Sequence, residues 1–288
     1  MGESSHVLVQ VLNGISLSMI LVLISLSLAI IFGLMGIINL AHGEMFMVGA
    51  YTVVAVNEFI VQNFWLGLLA APIVVGALGL LMERSLIKLL YKRPLETLLA
   101  TWGVSIALRQ IVKLTMGSGH KMVMSPITGS VQLLPGVEYS SYRLIIMGIT
   151  VVLLAGIYLF LFKTNIGLQC RTVISNRSMA SALGINTDFC DSFIFALGAA
   201  VAGVAGAMMS ALITVNPEMG LSFLSRSFFV VILGGLGNLF GVVGGAGIIG
   251  GTETFFSYFI SPVTAQVIVL LLAIVVIRLK PKGLFGGQ

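Results

Sequence analysis

Long apolar runs separated by short polar breaks dominate the chain. "SMILVLISLSLAIIFGLMGII" (18–38), "LIIMGITVVLLAGIYLFLF" (144–162) and "AQVIVLLLAIVVI" (265–277) are the clearest. Such runs are long enough, or nearly so, to cross ~30 Å of hydrocarbon as helices. In lipid every backbone donor and acceptor must be paired within its own segment, so a helix is the expected form. The pattern predicts spans near 7–35, 44–62, 66–90, 95–115, 142–162, 190–213, 223–239, 241–260 and 263–279. The fold class is therefore an all-α integral membrane protein, a polytopic bundle of about eight to nine transmembrane helices with Gly-interrupted segments. Hydropathy leaves the parity open, because 223–239 reads equally as a half-span. One transmembrane domain (7–279) carries an external loop at 116–141, with turn chemistry at "SPITGS" and "LPG", and a cytoplasmic loop at 163–189. A basic tail, 280–288, closes the chain, and no stretch is left for a soluble catalytic domain.

Composition agrees with this pattern. Of 288 residues, 58% are hydrophobic and 9% charged, against roughly 25% charged in soluble domains. Mean hydropathy is +1.11. The net charge of +5 is no nucleic-acid signature, because Lys and Arg gather between spans. Arg84, Lys88, Lys92 and Arg93 form one cluster, Lys163, Arg171 and Arg177 a second, and Arg278, Lys280 and Lys282 a third. The positive-inside rule makes these cytoplasmic, with the N-terminus outside and the C-terminus inside. Arg109, Lys113 and Lys121 run against the rule. With no charged segment before the first apolar run, that run is expected to be a retained span. Cys170 and Cys190 both fall near the cytoplasmic loop and read as reduced thiols.

Polar groups inside so apolar a chain are the candidates for function. Asn39, His42 and Glu44 stand together in "GIINLAHGEMFMVGAY" (36–51), with Gly43 between them. They either line or gate a polar passage, or cap and brace a helix at its cytoplasmic end. In "PLETLLATWGVSIALRQIVK" (94–113), Thr97, Thr101, Ser105 and Arg109 recur at four-residue steps. That stripe faces either a neighbouring helix or a wet cavity. The stretch "GNLFGVVGGAG" (237–247) echoes the 39–50 block, with Asn-Leu, then Gly, then apolar and small residues, and Gly234, Gly235 and Asn238 join the gate candidates. Broken helices in corresponding positions of two halves point to a transport pathway. In the cytoplasmic loop, Ser175 or Asn176 caps a two-turn helix, with Met179, Ala180 and Leu183 on one face and Gly184 as its stop. So short a helix needs a partner, either its own membrane domain or a groove in a cytoplasmic motor. Nothing fits a zinc-protease helix or a nucleotide loop. No catalytic residue and no metal is expected, and any ATP-driven role needs an ATPase on another chain.

Several stretches together resemble one family. They are "GIINLAHGEMFMVGAY", "GLQCRTVISNRSMASALGINTD" (167–188), "ITVNPEMGLS" (213–222), "GGLGNLFGVVGGA" (234–246) and "RLKPKGLFG" (278–286). As a set they are similar to the membrane permeases of bacterial ATP-binding-cassette importers of the branched-chain amino-acid type. Within that family "PLETLLATWGVS" (94–105) and "GLGNLFGVVGGA" look closer to the urea branch. The resemblance implies an inner-membrane permease pairing with a second, homologous permease. Two cytoplasmic ATPases would consume ATP and Mg, and a periplasmic binding protein would deliver a small polar solute. It also implies that Arg171 to Ile185 couple to the ATPases, through Arg171, Asn176, Met179, Ala180, Leu183, Gly184 and Ile185. Urea or a short amide is the expected cargo, because charges within the membrane look sparse. Branched-chain amino acids are the alternative, and a passive urea channel a more distant one.

Overall fold

A computed structural model describes residues 3–91, 93–134, 137–235, 238–280 and 283–285. Lys92 and Lys282 of the basic clusters, the Pro135–Gly136 turn, Gly237 of the echo and most of the basic tail lie outside the described residues. The chain runs α1 (Glu3–Met35), α2 (His42–Phe59) and α3 (Phe64–Met82), which continues through a π-helical turn (Glu83–Ile87) into α4 (Lys88–Leu90). Then come α5 (Pro94–Met116), strands β1 (Ser130–Leu134) and β2 (Val137–Ser140), α6 (Ser141–Lys163), α7 (Asn165–Ser175) and α8 (Arg177–Ala182). The remainder is α9 (Thr187–Met209), α10 (Met219–Gly234), α11 (Leu239–Phe259) and α12 (Pro262–Leu279).

Among the described residues, five helical segments are long and apolar enough to cross a membrane: Leu8–Gly33, Phe64–Leu90, Ser141–Lys163, Thr187–Met209 and Pro262–Leu279. The class needs one correction. The 116–141 loop carries an antiparallel β1–β2 hairpin, with Val131 opposite Tyr139. Tyr139 holds the hairpin to the bundle, its hydroxyl donating to the Leu12 carbonyl at 2.8 Å. A second correction concerns 163–189. Besides the short helix α8 it contains α7, whose start is capped by Thr164 accepting from Gly167 N.

α1 is the central post. Its run from Ile20 to Ile31 is buried, and α6, α9, α10 and α11 pack around it. An apolar surface on every side suits a helix with neighbours all round. α9 is the second post, lying against α1, α2 and α3. Small residues let these backbones touch: an added Cβ at Gly206 would lie 1.8 Å from Phe46 O, and one at Gly49 2.2 Å from Gly203 O. In lipid, packing of this kind replaces the hydrophobic drive as the source of helix association. α5 stands at the edge, with Leu95, Leu99, Trp102 and Ile106 exposed and Thr97, Thr101 and Ser105 turned inward.

Candidate functional site

Where α2 begins decides whether its polar residues are cap or site. α1 ends at Met35, and Gly36 turns the chain with a φ of +67°. Non-helical residues 37–39 and the turn after them then lead back up into the bundle. His42 meets Ser27, with Nε2 and Oγ 2.8 Å apart, ~12 Å above the foot of α1 at the helical rise. Leu40 N donates to Thr101 Oγ1 at 3.1 Å, and Ser105 Oγ donates to Glu44 Oε1 at 2.9 Å. Ser105 is ~16 Å along α5 from Pro94. Gly49 lies against Gly203, ~24 Å along α9 from its start at Thr187. Measured along α1 and α5, α2 thus starts ~12–16 Å from their ends, a distance comparable to half of a ~30 Å layer. The helix-end reading holds in part, because Glu44 lies in the first turn of α2. Asn39 is no cap of α2, because its Oδ1 accepts from Ala41 N and the Ala41 start has no side-chain cap.

α10 starts at the same depth. An added Cβ at Gly43 would lie 2.3 Å from Gly220 O, and one at Gly220 2.8 Å from Glu44 Oε2. Phe46 and Phe223 stack one turn further on, ring centroids 4.5 Å apart. The α5 stripe and the 39–44 block, separate in the sequence, are therefore one constellation. Asn39, His42 and Glu44 are buried, as are Thr101 and Ser105. Arg109 completes it, its Nε 3.1 Å from Glu44 Oε1. That contact is an ion pair outside hydrogen-bond geometry, so Arg109 Nε stays unpartnered. Asn39 Nδ2, His42 Nδ1 and Glu44 Oε2 are likewise buried without a partner in the protein. Thr97 contributes least, since its hydroxyl donates back to Leu90 O and Arg93 O.

The three cations that defied the positive-inside rule are all answered. Arg109 meets Glu44, Lys113 meets Glu218 at 2.9 Å, and Lys121 meets Glu58 at 2.8 Å. The last two line the outer approach, where Lys121 also bridges to Val215. Charge inside the bundle is consequently less sparse than the sequence suggested. Arg226 reaches Glu253 at 3.1 Å and Gln266 at 2.7 Å, joining α10, α11 and α12. Buried Glu83 in the π turn accepts from Tyr91 and, at 2.5 Å, from Ser192. Sequence reading passed over Glu83, Arg226 and Glu253, although an ionisable residue in an apolar helix was the available signal.

Gly234 and Gly241 form a tight crossing of α10 on α11, where an added Cβ at either would meet the other's carbonyl at 2.3 and 2.0 Å. Gly235 has a φ of +95°, three residues before Asn238, as Gly36 precedes Asn39. Asn238 caps α11 by accepting from Gly241 N and donates through Nδ2 to Phe285 O at 2.8 Å.

Beside the start of α9, Asn176 caps α8 and Gly184 ends it with a φ of +80°. The expected apolar face splits. Met179 and Leu183 are 57% and 68% exposed, whereas Ala180 is fully buried. Ile185 is half-buried. Arg171 lies in α7, its guanidinium 4.6 Å over the Phe162 ring. Arg177, about half exposed, reaches back toward α9. It meets Asp191 at 2.5 Å and Asp188 at 3.5 Å, and Asp188 also meets Lys88 at 2.7 Å. These pairs tie α8 to the foot of α9 and to α4. Both cysteines are free and buried, and burial, with a lesser contribution from Cys190, pushes the Cys170 thiol up to about 12.

Comparison with known proteins follows the same length of chain. The family described as "Branched-chain amino acid transport system / permease component" matches residues 10–277. A Salmonella typhimurium protein named "High-affinity branched-chain amino acid transport system permease protein LivH" is 30% identical, over 98% of this chain and 96% of its own. The Pseudomonas aeruginosa permease protein BraD, of the same description, is 28% identical over 99% and 98%. Escherichia coli LivM, also named a permease of that transport system, is 26% identical over 79% of this chain and 59% of its own length. No solved structure matches.

Proposed function

Because the chain belongs to the branched-chain amino acid permease family, we propose that it is the permease subunit of an ATP-driven importer for branched-chain amino acids. It would cross the bacterial inner membrane nine times, through α1, α2, α3, α5, α6, α9, α10, α11 and α12. A second, homologous permease subunit is its partner, and similarity to both a LivH and a LivM relative supports that pairing. Two ATPase subunits using ATP and Mg dock beneath, and a periplasmic binding protein delivers the solute above.

One observation carries the transport reading: two helices, α2 and α10, begin against one another in mid-membrane beside unpartnered polar atoms of Asn39, His42, Glu44 and Arg109. Interrupted helices of this kind are stable in lipid only where they line a cavity or are covered by protein. The urea expectation is withdrawn. It rested on the likeness of 94–105 and 235–246 to the urea branch and on sparse charge, and the Glu44–Arg109 pair lies on the candidate path. The relatives named above carry branched-chain amino acids in their names.

Motion enters at α8, where exposed Met179 and Leu183 suit a groove in the ATPase. Arg177 passes it to α9 and α4 through Asp191, Asp188 and Lys88. The test is uptake of labelled leucine and labelled urea by cells with and without the gene. Loss of leucine uptake alone, restored by the gene, supports the assignment; loss of urea uptake alone refutes it.

A further inference from the structure

The Glu44–Arg109 contact is a mutual neutralisation with capacity to spare on both sides. Glu44 Oε1 takes the Ser105 hydroxyl and faces Arg109, while Oε2 points at Gly220 with no partner. Arg109 Nε is unpartnered as well. Glu44 is buried, whereas the Arg109 side chain keeps 18% exposure. Above it the Lys113–Glu218 pair, about half exposed, marks an approach from outside.

We propose that Glu44 and Arg109 form a zwitterion-reading gate: closed, each neutralises the other; open, the cargo's α-ammonium takes Glu44 and its α-carboxylate takes Arg109. This rests on the amino-acid reading above and names the chemistry by which the chain itself selects its cargo. Parting a buried ion pair leaves two uncompensated charges, which is costly unless both are met at once. A zwitterion meets both. A neutral amide meets neither charge, and a simple carboxylate or amine meets one. Glu44 Oε2 is an acceptor, as an ammonium requires, and the Arg109 guanidinium, once parted from Glu44, suits a planar carboxylate. One turn away Phe46, Phe223 and Leu224 offer apolar ground to an aliphatic side chain.

The experiment uses the whole complex, with ATPases, partner permease and binding protein, in proteoliposomes. ATP-driven leucine uptake and ATP-independent urea leak are read for wild type, Glu44→Gln, Arg109→Gln and Arg109→Lys. Glu44→Gln and Arg109→Gln are expected to lower the maximal leucine rate at least tenfold, with less than a twofold change in apparent KM set by the binding protein. Both are expected to raise urea leak severalfold, which a merely structural role would not do selectively. Arg109→Lys, which keeps the charge, is expected to recover much of the rate and close the leak. Arg109 stands on the peripheral helix α5, so its variants decide the matter even where Glu44→Gln fails to assemble. Wild-type leucine transport with Arg109→Gln matching it in rate and leak overturns the gate and leaves the amino-acid reading standing. A wild type that moves urea and not leucine overturns both.

Discussion

Replacing Gly206 with Ala tests whether the α2–α9 crossing sets the depth of the candidate site. The new Cβ would stand 1.8 Å from Phe46 O and 2.8 Å from Phe46 C, both backbone atoms. No rotamer relieves a clash with backbone, so α2 must retreat by ~1.5 Å to regain ordinary contact. A gap of 0.5–1 Å already forfeits a quarter to a half of each dispersion well along the seam, and overpacking of this kind costs about 1–3 kcal/mol. The expected total is about 1–3 kcal/mol, read by equilibrium unfolding in mixed detergent micelles. Leucine uptake should fall below a tenth of wild type. Gly103→Ala is the control, because nothing lies within 4 Å of its added Cβ; it should be neutral or stabilising by up to about 1 kcal/mol. Gly206→Ala with stability within about 0.5 kcal/mol of wild type and full uptake would refute the argument.

At the cytoplasmic end, Leu183→Asp should abolish uptake and transport-stimulated ATP hydrolysis while the protein inserts and unfolds normally. Ala180→Asp buries a charge and should destabilise the chain, so equal stability of the two would contradict the split face of α8. Arg177→Ala should leave ATPase binding in place but uncouple hydrolysis from uptake, seen as ATP turnover without leucine accumulation. Cys170, with its thiol raised to about 12, should resist maleimide at neutral pH in the assembled protein; prompt labelling would show that α7 does not cover it.

Helix positions were legible because each apolar run is long and bounded by polar turns, and the nine expected spans all correspond to helices within a few residues. Depth was not legible. Hydropathy reports whether a segment suits lipid, whereas the level at which α2 begins depends on the return of residues 37–41 along α1, a tertiary fact. The four-residue spacing of Thr101, Ser105 and Arg109 announced a buried face but could not say that it faces Glu44. The face of α8 was misjudged because six helical residues fit either side of their own bundle equally well, and only the carboxylates of α9 decide where Arg177 turns.

α9 connects the two ends of this picture. Its foot carries Asp188, Asp191 and Ser192, which hold Arg177, Lys88 and Glu83. Its upper half carries Gly203 and Gly206, which hold the α2 backbone directly. A helix anchored by ion pairs below and by backbone contact above cannot tilt without moving both. On the proposed reading, a push on α8 therefore reaches Glu44 through a single rigid element. The contacts at either end fail differently: ion pairs at the exposed foot weaken with salt, whereas the glycine crossing does not. Coupling between ATP hydrolysis and uptake should accordingly loosen as ionic strength rises, while the unfolding stability of the α2–α9 seam stays constant. Coupling indifferent to salt would place the transmission somewhere other than Arg177.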